Sequence, residues 1–226
     1  MIISHKHKFI FIHPPKCAGT SIEVSLASVC ADDDIIGPVT LEGLPDDYKH
    51  PNTFEETSGG IYNAMLAKEI KNYVGSDCWN EYFKFSVMRN PWDRSISAWH
   101  WHNRSTTDYL WKYAQDESLN EWGVLNKASF MYYLNIKPFH PISISKQLQI
   151  GGTFDIDYLI RFEDLNDSYK KVCDILNIKP IKLPNAKSGY KSKKVHYSKF
   201  YNDETKEIIN QRYKDDIDNF GYKFGE

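Results

Sequence analysis

Cysteine is scarce and scattered. Only four occur among 226 residues, Cys17, Cys30, Cys78 and Cys173, each far from the next. That spacing excludes a C-x-x-C metal knuckle and the dense disulfide framework of a small secreted domain, and it fits reduced thiols in a cytoplasm. A surplus of positive charge is also missing: 28 Lys and Arg against 30 Asp and Glu leave a net charge of −2. No global field can hold nucleic acid or a long polyanion, so any anion site must be local. Long apolar runs are absent as well. His5-Lys6-His7-Lys8 precedes a short apolar stretch that could form neither a signal-peptide core nor a membrane span, so a soluble chain without a transmembrane segment is expected. No internal repeat or low-complexity segment divides the chain. Its length suits one sizeable core, and a single domain over residues 1–226 is expected.

Aromatics, by contrast, reach 15%, with six Trp and fifteen Tyr, which excludes a disordered chain. Phe9-Ile10-Phe11-Ile12 is a continuous apolar run stopped by His13-Pro14-Pro15, the pattern of a central strand buried on both faces. A tight loop follows, and Thr20 is placed to cap a helix carrying Ile22, Leu26 and Val29 to about Cys30. Residues 31–60 read as irregular, with room for one short strand. Tyr62, Leu66, Ile70 and Tyr73 mark a helix, and Tyr82 to Met88 a second strand. Asn90 as N-cap, Pro91 at the first helical position and Asp93 in the first turn open a helix running past Trp101. Helices are expected between 103 and 149, without fixed boundaries. Asp157 to Phe162 is a further strand, and Tyr169, Val172, Cys173 and Leu176 share a helix face. Lys187 to Lys199 is a basic loop. The last helix starts near Asn202, turns Ile209, Tyr213, Ile217 and Phe220 inward, and stops at Gly221. This alternation implies an α/β fold with a mainly parallel central sheet flanked by helices, its ligands gathering beyond the carboxyl ends of the strands.

Two constellations sit at such strand ends. In Pro15-Lys16-Cys17-Ala18-Gly19-Thr20-Ser21, successive backbone N–H groups, a helix N-terminus and two hydroxyls can wrap a phosphate, and Lys16 adds a movable charge. The triphosphate P-loop differs, because there the lysine follows the second glycine. A plain strand-to-helix turn is the bland alternative. In Arg89-Asn90-Pro91-Trp92-Asp93-Arg94-Ser95-Ile96-Ser97, Arg89 ends a strand just ahead of a helix, so its fork and the helix dipole can act on one anion, and Ser97 can add a hydroxyl. Here the alternative is a structural salt bridge for Arg89. Two anion sites at neighbouring strand ends suit one ligand with two separated phosphates.

The pair of motifs resembles the two cofactor motifs of the sulfotransferases that use 3′-phosphoadenosine 5′-phosphosulfate (PAPS), especially the carbohydrate-type family. The resemblance continues through Leu159-Ile160-Arg161-Phe162-Glu163-Asp164-Leu165 and through Phe200 to Tyr222, nearly the whole chain. It implies a fold related to the P-loop nucleoside triphosphatases (a P-loop-NTPase-like sulfotransferase fold) and sulfuryl transfer from PAPS to an acceptor hydroxyl, with no metal required. It assigns Lys16, Gly19, Thr20 and Ser21, with the loop backbone at Cys17 and Ala18, to the 5′-phosphosulfate, and Arg89 with Ser97 to the 3′-phosphate. Cys17 stands where Thr or Ser is common and Asn90 where Asp is frequent; neither departure removes a cationic contact. In such enzymes the region of Lys187, Ser188, Lys191 and Lys194 often closes over the nucleotide, with Lys194 the residue taken here as a cofactor contact.

Sulfuryl transfer builds charge on the departing bridging oxygen, where Lys16 is the best-placed cation, and the acceptor hydroxyl needs a base. His50 lies between the two motifs, where the family commonly places a histidine; Glu55 or Glu56 is the carboxylate alternative. His13 reads as structural. His100 and His102 diverge on a helix and form no metal site, and His5, His7, His140 and His196 have no stronger claim. Trp92, Trp99 and Trp101 read as core packing over an acceptor surface. The acidic balance favours a neutral carbohydrate, a lipid-linked sugar or a small alcohol over a sulfated polysaccharide. Two rivals stay open: a small-metabolite kinase of P-loop type, and a nucleotide-binding module without activity. Oligomeric state is not legible.

Overall fold

The computed structural model describes residues 1–37, 64–103, 129–135, 141–179, 182–184 and 195–226. In chain order its elements are β1 (Ile2–Ser4), β2 (Phe9–Phe11), α1 (Gly19–Ala27), β3 (Ile35–Ile36), α2 (Ala67–Glu81), β4 (Phe83–Met88), α3 (Pro91–Asn103), a helical stretch α4 at 129–135, α5 (Ile144–Leu148), β5 (Gln149–Ile150), β6 (Thr153–Phe154), β7 (Tyr158–Arg161), α6 (Leu165–Ile175), α7 (Asp203–Arg212) and α8 (Lys214–Phe220). Short 3₁₀ turns cover Phe162–Asp164 and Tyr197–Phe200. The chain gathers into two compact units, Met1–Arg89 with Ile144–Lys187, and Asn90–Ser143 with Ser188–Glu226.

The first unit is built on a sheet with the order β3-β1-β2-β4-β7. Among the described residues, β1 pairs antiparallel with both β2 and β3, whereas β2, β4 and β7 pair in parallel, so four of the five strands run one way. The apolar run read as a central strand becomes β2, fully buried, with Phe11 stacked on Phe85 at 5.1 Å. Strand β1 was not expected. Ile2, Ile3 and Ser4 are fully buried, and the basic segment behind them is its hairpin turn, closed by Lys8 at φ 51. The Asp34 carboxylate braces that turn, accepting from Ser4 Oγ (2.7 Å), from the backbone N–H of His5 (2.6 Å) and from that of Lys6 (3.2 Å).

Helix α1 starts at Gly19, with Ala18 as N-cap in the left-handed region (φ 58, ψ 16), and ends at Ala27. Thr20 is therefore inside the helix, because the turn at Ala18 already reverses the chain and its carbonyl takes the Ser21 and Ile22 N–H groups. Helix α2 begins at Ala67 and kinks at Gly75 (φ 81, ψ 162). Ala67, Ile70 and Trp79 face inward, while Tyr73 is 47% exposed, and the expected Tyr62 lies outside the described residues. The β5–β6 hairpin turns on Gly151 and Gly152, both at positive φ, as a two-residue hairpin loop requires.

In the second unit α3 begins where expected. Asn90 Oδ1 accepts from the N–H groups of Trp92 (3.1 Å) and Asp93 (3.2 Å). Trp99 is fully buried against Phe130 and Phe200, and Trp92 packs edge-on against Phe224, so both serve the core. Arg94, 1% exposed, donates to the Ile142 carbonyl at 2.9 Å and faces Asp216 at 3.8 Å. The expected terminal helix is broken at Tyr213 (φ −115, ψ 29) into α7 and α8. Ile209 and Tyr213 are buried as expected, but Ile217 and Phe220 are half-exposed and the buried residue of α8 is Asp216. The break lets the Tyr213 hydroxyl reach the Pro141 carbonyl at 2.9 Å and puts Asp216 beside Arg94 and the Ser143 hydroxyl.

Candidate active site

Strand β2 is held against β4 at its carboxyl end: Ile12 N–H donates to the Phe85 carbonyl at 3.0 Å and Ser86 Oγ to the Ile12 carbonyl at 2.8 Å. Two residues of the following loop, Lys16 (φ 67) and Ala18 (φ 58), are left-handed although neither is glycine. Such residues cost of order 1 kcal/mol each and persist where the surroundings hold them. A left-handed residue beside right-handed ones turns successive N–H groups toward a common side, the geometry that receives anions. Ala18 provides no side-chain cap, and helix geometry gives the N–H groups of Gly19 and Thr20 no intrahelical acceptor. The loop thus offers amide donors, a helix N-terminus, the half-buried Thr20 and the charge of Lys16 at one strand end.

Beneath it lies His13. Its ring stacks on Phe11, its Nδ1 is 2.9 Å from Glu23 Oε1, and a Cβ at Gly19 would overlap the ring. Gly19 is required by this close approach. Glu23 also holds the Met1 amino group, and the Gln147 amide donates to the carbonyls of His13 (3.2 Å) and Met65 (3.1 Å). His13 accordingly supports the loop from below. Cys17 is buried with Sγ turned to the Pro15 carbonyl at 3.6 Å, so it can serve a ligand only through its backbone.

Arg89 ends the first unit just past β4. It is 4% exposed, and its Nη1 donates to the Lys16 carbonyl at 2.5 Å. Its guanidinium carbon lies 3.8 Å from the centre of the Phe162 ring. The parallel register sets Met88 beside Arg161, which brings the next residues of the two strands, Arg89 and Phe162, together. The structure therefore joins Lys16 and Arg89, the first cation of each motif, by a hydrogen bond from the Arg89 guanidinium to the Lys16 carbonyl. Phe162, Glu23 and Gln147 were not singled out from sequence. For Phe162 the signal was its place one residue past a strand, usable only once the register was known.

Ser97 is half-buried on α3, in the second unit. His50, Glu55, Glu56, His140, Lys187, Ser188, Lys191 and Lys194 lie outside the described residues. His5 meets the Tyr82 hydroxyl (2.8 Å), His7 the Val29 carbonyl (3.1 Å), and His196 packs on Tyr197. His100 packs between Trp99 and Phe200. All four cysteines are thiols outside any disulfide, and burial, with Asp34 beside it, pushes Cys30 up to about 12. No group of three or more His, Cys, Asp or Glu suited to a metal ion occurs among the described residues, and no helix among them is long and apolar enough to cross a membrane.

A model of the sulfotransferase family matches residues 1–223. The chain belongs to the sulfotransferase family. No curated protein and no solved structure matches it. As a sulfotransferase it is a transferase of sulfuryl groups, and the match runs through both compact units.

Proposed function

We propose that this sulfotransferase moves the sulfuryl group of PAPS to an acceptor hydroxyl, on a carbohydrate or a lipid-linked sugar, and that residues 1–226 act as one domain. The observation that carries the donor assignment is the Arg89–Lys16 hydrogen bond, because it puts two cationic residues of separate motifs at one end of the sheet. The donor set around the loop fits the two anionic ends of such a nucleotide: loop amides, Thr20, Ser21 and Lys16 for the 5′-phosphosulfate and Arg89 for the 3′-phosphate. Ser97 and Lys194 join the assignment on the resemblance alone.

PAPS supplies the activated sulfuryl group when bound. Lys16 stabilises charge on the 5′-phosphate oxygen as its bond to sulfur breaks, and the loop amides hold that phosphate in line. His50 takes the acceptor proton as the new oxygen–sulfur bond forms. The unbridged thiols support the expected reducing, cytoplasmic setting. The small net charge of −2 supports a neutral acceptor over a polyanionic one.

Isothermal titration with adenosine 3′,5′-bisphosphate tests the donor assignment. Saturable binding is expected, and wild-type protein that gives no heat at near-millimolar ligand overturns it. A screen of sugars, lipids and phenols with radiolabelled PAPS tests the acceptor class.

A further inference from the structure

We propose that Arg89, seated on the Phe162 ring, is also a positioning residue for the loop: by holding the Lys16 carbonyl it sets the Lys16–Cys17 peptide, so the cation that meets the 3′-phosphate also orders the amides that receive the 5′-phosphate. This rests on the PAPS-site reading above and deepens it.

Lys16 is left-handed at φ 67, a conformation that needs an external restraint, and its carbonyl is turned onto Arg89 Nη1. The peptide is trans, so the Cys17 N–H points opposite to that carbonyl, away from the guanidinium. Release of the carbonyl lets this peptide turn, and with it the loop that leads into the Gly19 and Thr20 N–H groups at the start of α1. Arg89 is restrained in turn. It is almost wholly buried, and the Phe162 ring against its guanidinium limits how far the fork can swing. Parallel pairing of β4 with β7 fixes that juxtaposition in the backbone. Anything that orders Arg89 therefore orders the loop, and by reciprocity a 5′-phosphate in the loop orders Arg89 for the 3′-phosphate.

Adenosine 5′-phosphate, which lacks the 3′-phosphate, isolates the effect. A residue that touches the 3′-phosphate alone cannot alter its affinity. Calorimetry is run with this ligand and with adenosine 3′,5′-bisphosphate on wild type, Arg89→Lys, Phe162→Leu and Phe162→Tyr. The first two variants should bind adenosine 5′-phosphate about five- to tenfold more weakly, and Phe162→Tyr should restore wild-type affinity. Unchanged affinity for adenosine 5′-phosphate, with loss confined to the bisphosphate, overturns the positioning role and leaves the site reading standing. Wild-type protein that binds neither nucleotide overturns both. In folded wild type the Gly19 amide resonance must move on titration with adenosine 5′-phosphate; an unmoved resonance refutes the proposal even if a variant fails to fold.

Discussion

Three residues of the loop carry opposite demands. Ala18 holds φ 58 and ψ 16 without a glycine's freedom, whereas Gly19 is held by the His13 ring. Exchanging the residue types should thus act in opposite directions. Ala18→Gly should raise stability by about 0.5–1 kcal/mol, because relief of the left-handed conformation exceeds the added entropy of the unfolded chain. Gly19→Ala should lower it by about 1–3 kcal/mol, because the new methyl group meets a ring already fixed by Phe11 and Glu23. Urea unfolding of the two variants checks both signs, and a stabilised Gly19→Ala protein would show that the ring yields. Lys16 differs, since its side chain is half-exposed and its backbone conformation survives truncation. Lys16→Ala should keep its unfolding midpoint while turnover falls about 10²- to 10³-fold, the usual effect of removing one electrostatic contact from a transition state. Wild-type turnover in that variant would remove Lys16 from the chemistry. At this scale the sequence marked the loop as a candidate anion site, but Gly19's reason was hidden, because the His13 ring closes on it only after the strand is in place.

Helix starts built on a side-chain cap were legible, as α3 shows, whereas α1, capped by the left-handed Ala18, was not. Asn90, Pro91 and Asp93 act within three residues of one another, so a linear reading suffices. The other half of Asn90 was not readable: its Nδ2 donates to the Tyr197 hydroxyl at 3.1 Å, and that hydroxyl also accepts from the Gly225 N–H at 2.8 Å. This use of the amide accounts for Asn where a carboxylate is frequent. Asn90→Ala should cost about 1–2 kcal/mol for the lost cap, plus roughly 1 kcal/mol for the tie to Tyr197. Asn90→Asp keeps the cap acceptor and should lose only the smaller part. An Asn90→Asp variant with the wild-type urea midpoint would deny the amide its second role. Element ends set by distant partners were the ones misread. Tyr213 leaves the helical conformation where its hydroxyl meets the distant Pro141 carbonyl, and β1 escaped notice because three apolar residues next to a basic turn carry too little pattern to separate strand from tail.

For the whole molecule, the parallel arrangement followed from strands that alternate with helices, while the antiparallel β1 hairpin depended on a long-range carboxylate. Asp34 ties that hairpin to the segment leaving α1, and it accepts from the Ala31 N–H at 2.9 Å in addition to Ser4, His5 and Lys6. Burial alone would push its carboxyl up; the hydrogen bonds from Ala31, Ser4, Lys6 and His5 outweigh that and hold it below the ordinary value. A carboxyl depressed in the folded state adds stability that is complete above the unfolded value, near pH 4, and is lost as pH falls through the lower folded value. The acid limb of the stability curve should therefore carry a component that belongs to this hairpin. Asp34→Asn cannot ionise, and its amide offers one acceptor oxygen where the carboxylate offers two. The variant should be less stable than wild type at pH 7, and the gap should narrow as pH drops below about 4, because only wild type still has ionised-state stability to lose. Urea midpoints for both proteins at intervals from neutral pH into the acid range test this. Curves that stay parallel across the acid range would mean that Asp34 titrates alike folded and unfolded, and the hairpin would then be held by the burial of Ile2 and Ile3 without help from its charge.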